Sequence, residues 1–147
     1  MTTKFILRDV NYKQRVNNSF DSQPLMQTIN ATLSEIEAGS VVVQMPYQQA
    51  LTQQNGFLHA GIVSTLLDNA CGYAAFTLMS PDASILSIEF KVNLLAPAKG
   101  DTFKAVGTIK KSGKTINVTE GELFAYTDGK EKLVASMTAT IMAIYEK

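Results

Sequence analysis

One apolar segment that contains a single carboxylate constrains this chain more than any other part of its sequence. Residues 62–79 are apolar on nearly every side of a 3.6-residue period, which is typical of a helix buried on all its faces. Asp68 lies in the middle of this segment. A carboxylate in such surroundings loses hydration that only hydrogen bonds or a specific partner can replace, so we expect Asp68 to have a function.

Length and charge limit the class of protein. The 147 residues are enough to bury the core of one domain, so we predict a single domain over residues 1–147, with 1–20 as a poorly defined N-terminal segment. Thirteen basic residues balance thirteen acidic ones. Because no overall field would attract a polyanion, we expect no nucleic acid partner.

Side-chain chemistry limits the kind of site. One cysteine and one histidine are too few nitrogen and sulfur ligands for a transition metal, so we predict a site without a metal.

The first residues lack the apolar region of a signal peptide, and the 62–79 segment contains an aspartate, a glycine and several hydroxyl residues. The expectation is a cytoplasmic protein without a membrane span.

Hydrophobic periodicity predicts an α+β domain. Residues 1–20 predict no element, with a loop at 17–19, and a short helix capped by Asp21 or Ser22 has Pro24 in its first turn and ends near Asn30. After residues 80–82 the period changes from 3.6 to 2. The predicted strands are 32–37, 40–47, 84–95, 102–110, 115–126 and 132–145, with a loop at 48–58. This order predicts an antiparallel sheet curled around one long helix.

The strand predicted at residues 84–95 alternates along its whole length. Its apolar and polar side chains are expected on opposite faces, with Leu86, Ile88, Phe90, Val92 and Leu94 on one and Ser87, Glu89, Lys91 and Asn93 on the other.

His59 and Asp68 are nine residues apart, which has a geometric consequence. At about 100° and 1.5 Å per residue, they lie roughly 180° apart around a helix and about 13 Å apart along it. The two side chains therefore cannot meet within one chain. If they share a site, a second copy supplies one of them, so the spacing predicts a site that spans a homodimer interface.

Four short motifs resemble one enzyme family. Gln53, the tripeptide His59-Ala60-Gly61, residues 67–70 and residues 90–98 are similar to the hotdog-fold acyl-CoA thioesterases of the phenylacetate-degradation (PaaI-like) type. The resemblance covers roughly residues 30–145. It implies a hotdog fold, thioester hydrolysis, and assembly as a homodimer or a dimer of dimers.

The resemblance also implies a role for each matching residue. Asp68 matches the family carboxylate, which acts as general base on water or as nucleophile, and the sequence does not separate these roles. Gln53 would hydrogen-bond the water or the substrate, and His59 would orient the loop or the thioester. The backbone N–H of Ala60 would point at the thioester carbonyl oxygen. Gly61 would permit close approach.

The chain departs from the family pattern at two positions. Ala60 replaces the usual glycine, and Gly72 stands where many relatives have serine or threonine, one turn after the carboxylate. Hydroxyl assistance would then come from Ser64, Thr65 or Ser87. The predicted substrate-binding residues are Ala60, Gly61, Ser64, Thr65, Ser87 and Asn93. Cys71, Tyr73 and Phe76 are expected in the core.

We therefore predict hydrolysis of a medium-chain or aromatic acyl-CoA to the free acid and coenzyme A. No cofactor is expected beyond the coenzyme A that belongs to the substrate. One alternative is a hotdog dehydratase or hydratase, although a carboxylate nine residues after the histidine favours a thioesterase. The other is a non-catalytic acyl-CoA-binding module, which Gly72 and Ala60 make plausible. The acyl group, its carrier and the number of subunits stay open.

Overall fold

The architecture is a six-stranded antiparallel sheet that packs around one helix. The computed structural model describes residues 5–146. Its elements in chain order are α1 (Tyr12–Asp21), α2 (Pro24–Thr28), β1 (Thr32–Glu37), β2 (Ser40–Pro46), a 3₁₀ turn (Gln49–Leu51), α3 (Ala60–Phe76), β3 (Ala83–Leu94), β4 (Thr102–Lys111), β5 (Ile116–Thr127) and β6 (Lys130–Tyr145). The predicted fold class is confirmed, and each predicted strand lies within two residues of an observed one.

The sheet has the strand order β1-β2-β4-β5-β6-β3, and every neighbouring pair is antiparallel. Alternate residues of β2, β4, β5 and β6 are buried against α3 and form the core. The largest fully buried side chains include Phe103, Met45, Leu66, Leu123 and Ile141. Strands β1 and β3 are the two edges, so each leaves one side without a strand partner among residues 5–146.

Helix α3 lies unusually close to the sheet at Gly107. A Cβ atom built on this residue of β4 would lie 2.2 Å from the carbonyl oxygen of Ala70. No side chain fits between the two backbones, so glycine at position 107 allows α3 to approach β4 this closely. Asp68 precedes Ala70 by two residues, so the same contact fixes the position of Asp68 along the sheet.

The burial of α3 differs from the prediction of a helix buried on all faces. Residues 70–79 are all buried, but in the first half only Val63, Leu66 and Leu67 are, while Ala60 and Gly61 are exposed. The prediction is wrong for this half because small and hydroxyl residues are compatible with burial without requiring it. Among residues 5–146, no helix combines the length and the apolar character needed to cross a bilayer.

Helix α1 is an element that the sequence analysis did not predict. The loop expected at residues 17–19 is wrong, because these residues lie within the helix. Its buried side chains are Tyr12, Val16 and Phe20, which form a single stripe with a four-residue spacing. The next helix begins at Pro24, slightly later than predicted. The polar residues around the narrow stripe concealed the helical period.

Arg15 attaches α1 to the carboxyl end of α3. Its guanidinium group donates hydrogen bonds to the backbone carbonyls of Phe76, Met79 and Ser80, at 3.0, 2.8 and 2.5 Å. It also lies over the Phe76 ring, 4.3 Å from the centroid. The last carbonyls of a helix have no partner within the helix, and a cation there is favoured by the helix dipole. Arg15 therefore caps the central helix.

Strand β3 contains a bulge that changes which side chains face the helix. The register with β6 shifts between Ser87 and Glu89, so Ser87 pairs with Ile141 and Phe90 with Ala139, both buried. An extra residue in a strand reverses the alternation beyond it. Ser87 and Phe90 are therefore on the helix side, and the predicted grouping of Leu86 with the later apolar residues is wrong.

Two glycine substitutions test the packing of α3. We expect Gly107→Ala to lower the free energy of unfolding by about 3 kcal/mol, because the new methyl group would overlap the helix backbone. Gly72→Ala, inside α3, is the matched control. Its Cβ would meet only the Ile85 Cδ1 at 3.6 Å, so better helix propensity should raise the free energy of unfolding by up to about 1 kcal/mol. Denaturant unfolding curves measure both, and equal effects would contradict the packing described here.

Candidate active site

The amino end of α3 presents one free backbone donor. His59 is the N-cap: its Nδ1 accepts a hydrogen bond from the N–H of Gly61 at 2.8 Å, and its carbonyl oxygen accepts from Ile62 and Val63. The N–H of Ala60 donates to no atom of residues 5–146. It lies at the positive end of the helix dipole, where it is suited to stabilise a developing oxyanion.

Gly61 is required for this cap. A Cβ atom on this residue would lie 3.1 Å from the Nδ1 of His59, tighter than side chains normally pack. A side chain there would press against the imidazole and weaken the bond that holds it. In this structure His59 thus organises the amino end of the helix.

Gln53 closes the loop that leads into α3. Its Oε1 accepts hydrogen bonds from the backbone N–H groups of Asn55 and Phe57, and Gly56 adopts a left-handed conformation between them. The Nε2 of Gln53 donates to no atom in the described part of the chain, so it remains available as a donor. Gln53 and Ala60 border a cavity of about 420 Å³, here called the Ala60 cavity. Its other walls are Phe57, Leu58, Val63, Leu94, Leu95, Ala96, Pro97, Ala98 and Val134.

Asp68 is oriented by a hydrogen bond from the edge strand. The Oγ of Ser87 donates to its Oδ1 at 2.6 Å, while Oδ2 accepts no hydrogen bond from residues 5–146. The carboxylate is half-buried at a second cavity of about 410 Å³, here called the Asp68 cavity. Its other walls are Gln23, Asn69, Gly72, Tyr73, Ile85, Leu86 and Ser87. One carboxylate oxygen is therefore held in place and the other is free to act on a reactant.

The remaining candidate residues occupy different positions. Ser64 and Thr65 donate their hydroxyl protons to backbone carbonyls one turn earlier in α3, each at 2.9 Å. Asn93 pairs with Ser136 and lies on the side of the sheet away from the helix. Among Ser64, Thr65 and Ser87, only Ser87 donates a hydrogen bond from its side chain to the carboxylate of Asp68. Ser87 lies just before the bulge in β3, on the same face as Ile85, and this face is directed toward the helix.

The chain divides these groups between two cavities. Gln53 and Ala60 border one of them, and Asp68 borders the other. Asp68 is eight positions after Ala60 in the helix, which corresponds to about 12 Å along the axis. Within a single chain, the free N–H of Ala60 and the carboxylate of Asp68 therefore face two different cavities.

A cluster beside Asp68 was not found by sequence reasoning. The Nε2 of Gln23 donates to the hydroxyl of Tyr73 at 2.7 Å and to the Oδ1 of Asn69 at 3.0 Å. Tyr73 is buried as expected, but it also borders the Asp68 cavity, and burial raises the pKa of its hydroxyl. Asn69 and Tyr73, one turn apart in α3 and close to Asp68 in sequence, were a usable signal. Gln23 is far away in sequence and provided none.

Cys71 lies in the core, as expected. Burial raises the pKa of its thiol to about 12, so almost none of it is thiolate near neutral pH. The mechanism developed below does not use it.

Cys71 should accordingly be inert in the folded protein. At pH 8 a thiol with a pKa near 12 is about one part in ten thousand thiolate, and burial also blocks access. We expect a thiol reagent such as DTNB to detect no thiol in the native protein and one per chain in denaturant. Rapid reaction of the native protein would contradict the burial of Cys71.

A free amide at a helix end and an oriented carboxylate, carried on a hotdog fold, are the groups that acyl transfer to water requires. The thioesterase superfamily model matches residues 55–132, more than half of the chain, and the chain belongs to this superfamily. The predicted family is confirmed, and the protein is a thioester hydrolase.

Individual relatives agree with this assignment. A solved thioesterase family protein from Silicibacter pomeroyi is 50% identical, with a TM-score of 0.91 over 92% of this chain and 99% of that one. Human acyl-coenzyme A thioesterase 13 is 29% identical over 100 residues, 67% of this chain and 71% of its own length. PaaI from the phenylacetic acid degradation operon of E. coli shares the fold, with a TM-score of 0.80 at 20% identity over 91% of this chain and 94% of its own.

Proposed function

We propose that the protein hydrolyses a medium-chain or aromatic acyl-CoA to the free acid and coenzyme A, without a metal or another cofactor. The observation that carries the proposal is Asp68, whose one oxygen is held by Ser87 while the other is free beside a cavity large enough for such an acyl group. The name of the human relative, an acyl-CoA thioesterase, supports coenzyme A as the carrier. The apolar walls formed by Ile85 and Leu86 suit a carbon chain or a ring.

In this proposal the thioester carbonyl oxygen accepts a hydrogen bond from the N–H of Ala60. The donor and the helix dipole stabilise the negative charge that develops on that oxygen. The free oxygen of Asp68 removes a proton from water as the water attacks the carbonyl carbon. Alternatively, Asp68 attacks that carbon and forms an anhydride that water cleaves. In either route the C–S bond breaks, the acid is released, and the departing thiolate of coenzyme A takes up a proton.

The edge strand β3 suggests how the two cavities are brought together. It is twelve residues long, and on one side it has no strand partner in the part of the chain that the structure describes. It also carries several exposed apolar side chains. These are Leu86, Ile88, Phe90 and Leu94, followed by Leu95 just after the strand. A long apolar edge of this kind is a template for pairing with another strand. We therefore propose a homodimer, alone or as half of a dimer of dimers, in which two copies of β3 pair.

Antiparallel pairing about a twofold axis would assemble the site. Ser87, near the start of β3, borders the Asp68 cavity, whereas Leu94, at its end, borders the Ala60 cavity. If two such strands pair near their middles, the end of one lies beside the start of the other. The Ala60 cavity of one chain then meets the Asp68 cavity of its partner. This agrees with the expectation that the helix end and the carboxylate come from different subunits.

The first test is Asp68→Asn. We expect kcat to fall by about 10²- to 10⁴-fold with binding retained, because an amide removes the base or nucleophile but keeps the shape. Release of thiol from acetyl-, short-chain, medium-chain and aromatic coenzyme A thioesters gives both the rate and the substrate class. Asp82→Asn is the control, since Asp82 is exposed and borders neither cavity.

Two outcomes would contradict the proposal. Undiminished turnover by Asp68→Asn would remove the carboxylate from the mechanism. Tight binding of thioesters by the wild-type protein, without turnover of any of them, would instead indicate an acyl-CoA-binding module.

A site shared between subunits predicts complementation. Asp68→Asn should lack the carboxylate half of the site, and the double variant Gln53→Leu/His59→Ala should lack the donor half. After the two inactive proteins are unfolded and refolded together, half of the dimers should be mixed and each should hold one intact site. We therefore expect about one quarter of the wild-type activity. If the mixture is no more active than the separately refolded proteins, each site lies within one subunit.

A further inference from the structure

A third cavity lies beyond the carboxyl end of α3, and the mechanism described above does not use it. It has a volume of about 520 Å³ and is here called the Arg8 cavity. Its walls are Arg8, Ser80, Asp82, Lys114 and Tyr145, and it shares no wall residue with the Ala60 cavity or the Asp68 cavity. Its volume is within the range of cavities that bind small molecules.

Hydrogen bonds to the backbone hold both cationic walls of the Arg8 cavity. The Nη1 of Arg8 donates to the carbonyl oxygen of Leu78 at 2.7 Å, just beyond the end of α3. At the end of β6, the Tyr145 hydroxyl donates to the carbonyl oxygen of Lys114 at 2.8 Å, in the turn between β4 and β5. The N-terminal segment and this turn are therefore both attached beside the same cavity.

The wall residues of the Arg8 cavity are positive overall. Neither Arg8 nor Lys114 forms a salt bridge with an acidic side chain in the described part of the chain. The one carboxylate in the walls is that of Asp82, which accepts a hydrogen bond from the Ser80 hydroxyl at 2.6 Å and whose charge also acts on Arg15. Two cations beside one carboxylate favour an anionic ligand, and a guanidinium group matches phosphate oxygens in shape as well as in charge.

The distance from Asp68 to this cavity suits the pantetheine arm of coenzyme A. Helix α3 ends at Phe76, eight positions after Asp68 and about 12 Å further along the axis. Leu78, whose carbonyl oxygen holds Arg8, lies just beyond this end. In coenzyme A the pantetheine arm separates the thioester sulfur from the phosphate groups by a chain of comparable extended length. A thioester that reacts at Asp68 can therefore place its phosphates in the Arg8 cavity.

The proposed dimer brings the Arg8 cavity to the same end of the paired strands as the Ala60 cavity. Residues 95–98 follow the end of β3 and form walls of the Ala60 cavity. Ser80 and Asp82 precede the start of β3 and form walls of the Arg8 cavity. Antiparallel pairing of two β3 strands puts the end of one beside the start of the other. In the dimer, the Ala60 cavity of one chain thus lies near the Arg8 cavity of its partner.

We propose that the Arg8 cavity binds the phosphate groups of the nucleotide part of coenzyme A, with Arg8 and Lys114 as the donors. The inference rests on the proposed function, because it requires the thioester carbonyl to react at Asp68. Charge-assisted hydrogen bonds to phosphate are stronger than neutral ones, so these contacts raise the affinity for the substrate. They also select coenzyme A over a carrier protein, because the phosphopantetheine arm of a carrier protein has no nucleotide.

The test compares one acyl group on three carriers. The acyl group of the best substrate in the thiol-release assay is joined to coenzyme A, to 4′-phosphopantetheine and to pantetheine. In the wild-type protein we expect kcat/KM for the coenzyme A thioester to exceed that for the pantetheine thioester by about tenfold or more, because the latter has no phosphate. The phosphopantetheine thioester should stay well below the coenzyme A thioester. Added salt should reduce this preference, because it screens charges near the surface.

Substitution of the two cations identifies the contacts. The double variant Arg8→Gln/Lys114→Gln removes both charges and keeps polar side chains, so the preference for the coenzyme A thioester should fall to about one. Lys111→Gln is the matched control, because it removes a positive charge three positions before Lys114 but does not border the cavity. Lys111→Gln should retain the wild-type preference. Thermal unfolding checks that both proteins are folded.

The outcomes separate this inference from the proposed function. Turnover of all three thioesters with equal kcat/KM, or a phosphopantetheine thioester as good as the coenzyme A thioester, would overturn the role of the Arg8 cavity alone. This comparison decides the matter even if the double variant does not fold. A preference that persists in the folded double variant, or that Lys111→Gln loses to the same extent, would also overturn it. Absence of turnover with every carrier would overturn the proposed function and this inference with it.

Discussion

The backbone contact between α3 and Gly107 is the constraint on which the rest of the structure depends. Because no side chain separates the helix from β4 there, the helix lies deep against the concave side of the sheet. Its carboxyl half is then buried on all sides, and Arg15 donates hydrogen bonds to the carbonyl of Phe76, the last helical residue, and to that of Met79 just beyond it. Its amino half extends to the open side of the sheet, where Ala60 and Asp68 can be reached from outside. The carboxyl half of the helix therefore serves the packing of the core, and the amino half carries the groups proposed to react.

Strand β3 connects the packing of the fold to its chemistry. Its first half directs Ser87 toward Asp68, and its far end borders the cavity of Ala60. The same strand is an unpaired apolar edge, which is a liability in an isolated chain. A dimer formed through this edge would cover the exposed apolar side chains. It would also bring the Ala60 cavity of one chain to the Asp68 cavity of the other. In this proposal activity and assembly therefore depend on one strand, because neither cavity contains both the donor and the carboxylate.

Much of the fold could be predicted because its periods are strong. The change from a period of 3.6 to a period of 2 after α3 identified four strands, and the nine-residue spacing of His59 and Asp68 anticipated their separation. Helix α1 was missed because its apolar stripe is only three residues, and the faces of β3 were misassigned because a bulge leaves no mark in an alternating sequence. The cap formed by Arg15 joins segments about sixty residues apart, which local patterns cannot predict.

By itself, the sequence determined the residue types that can carry out the chemistry and the local elements that hold them. Asp68 in an apolar segment and the motif around His59 were sufficient for the family, because spacing along a helix converts directly into geometry. Only the tertiary structure decided which groups meet: Ser87 with Asp68, and Gln23 with Asn69 and Tyr73. These contacts depend on strand register and on the docking of α1 and α2. Each of these features depends on packing between segments that are distant in sequence. The free energy of that packing cannot be obtained from any local segment of the chain.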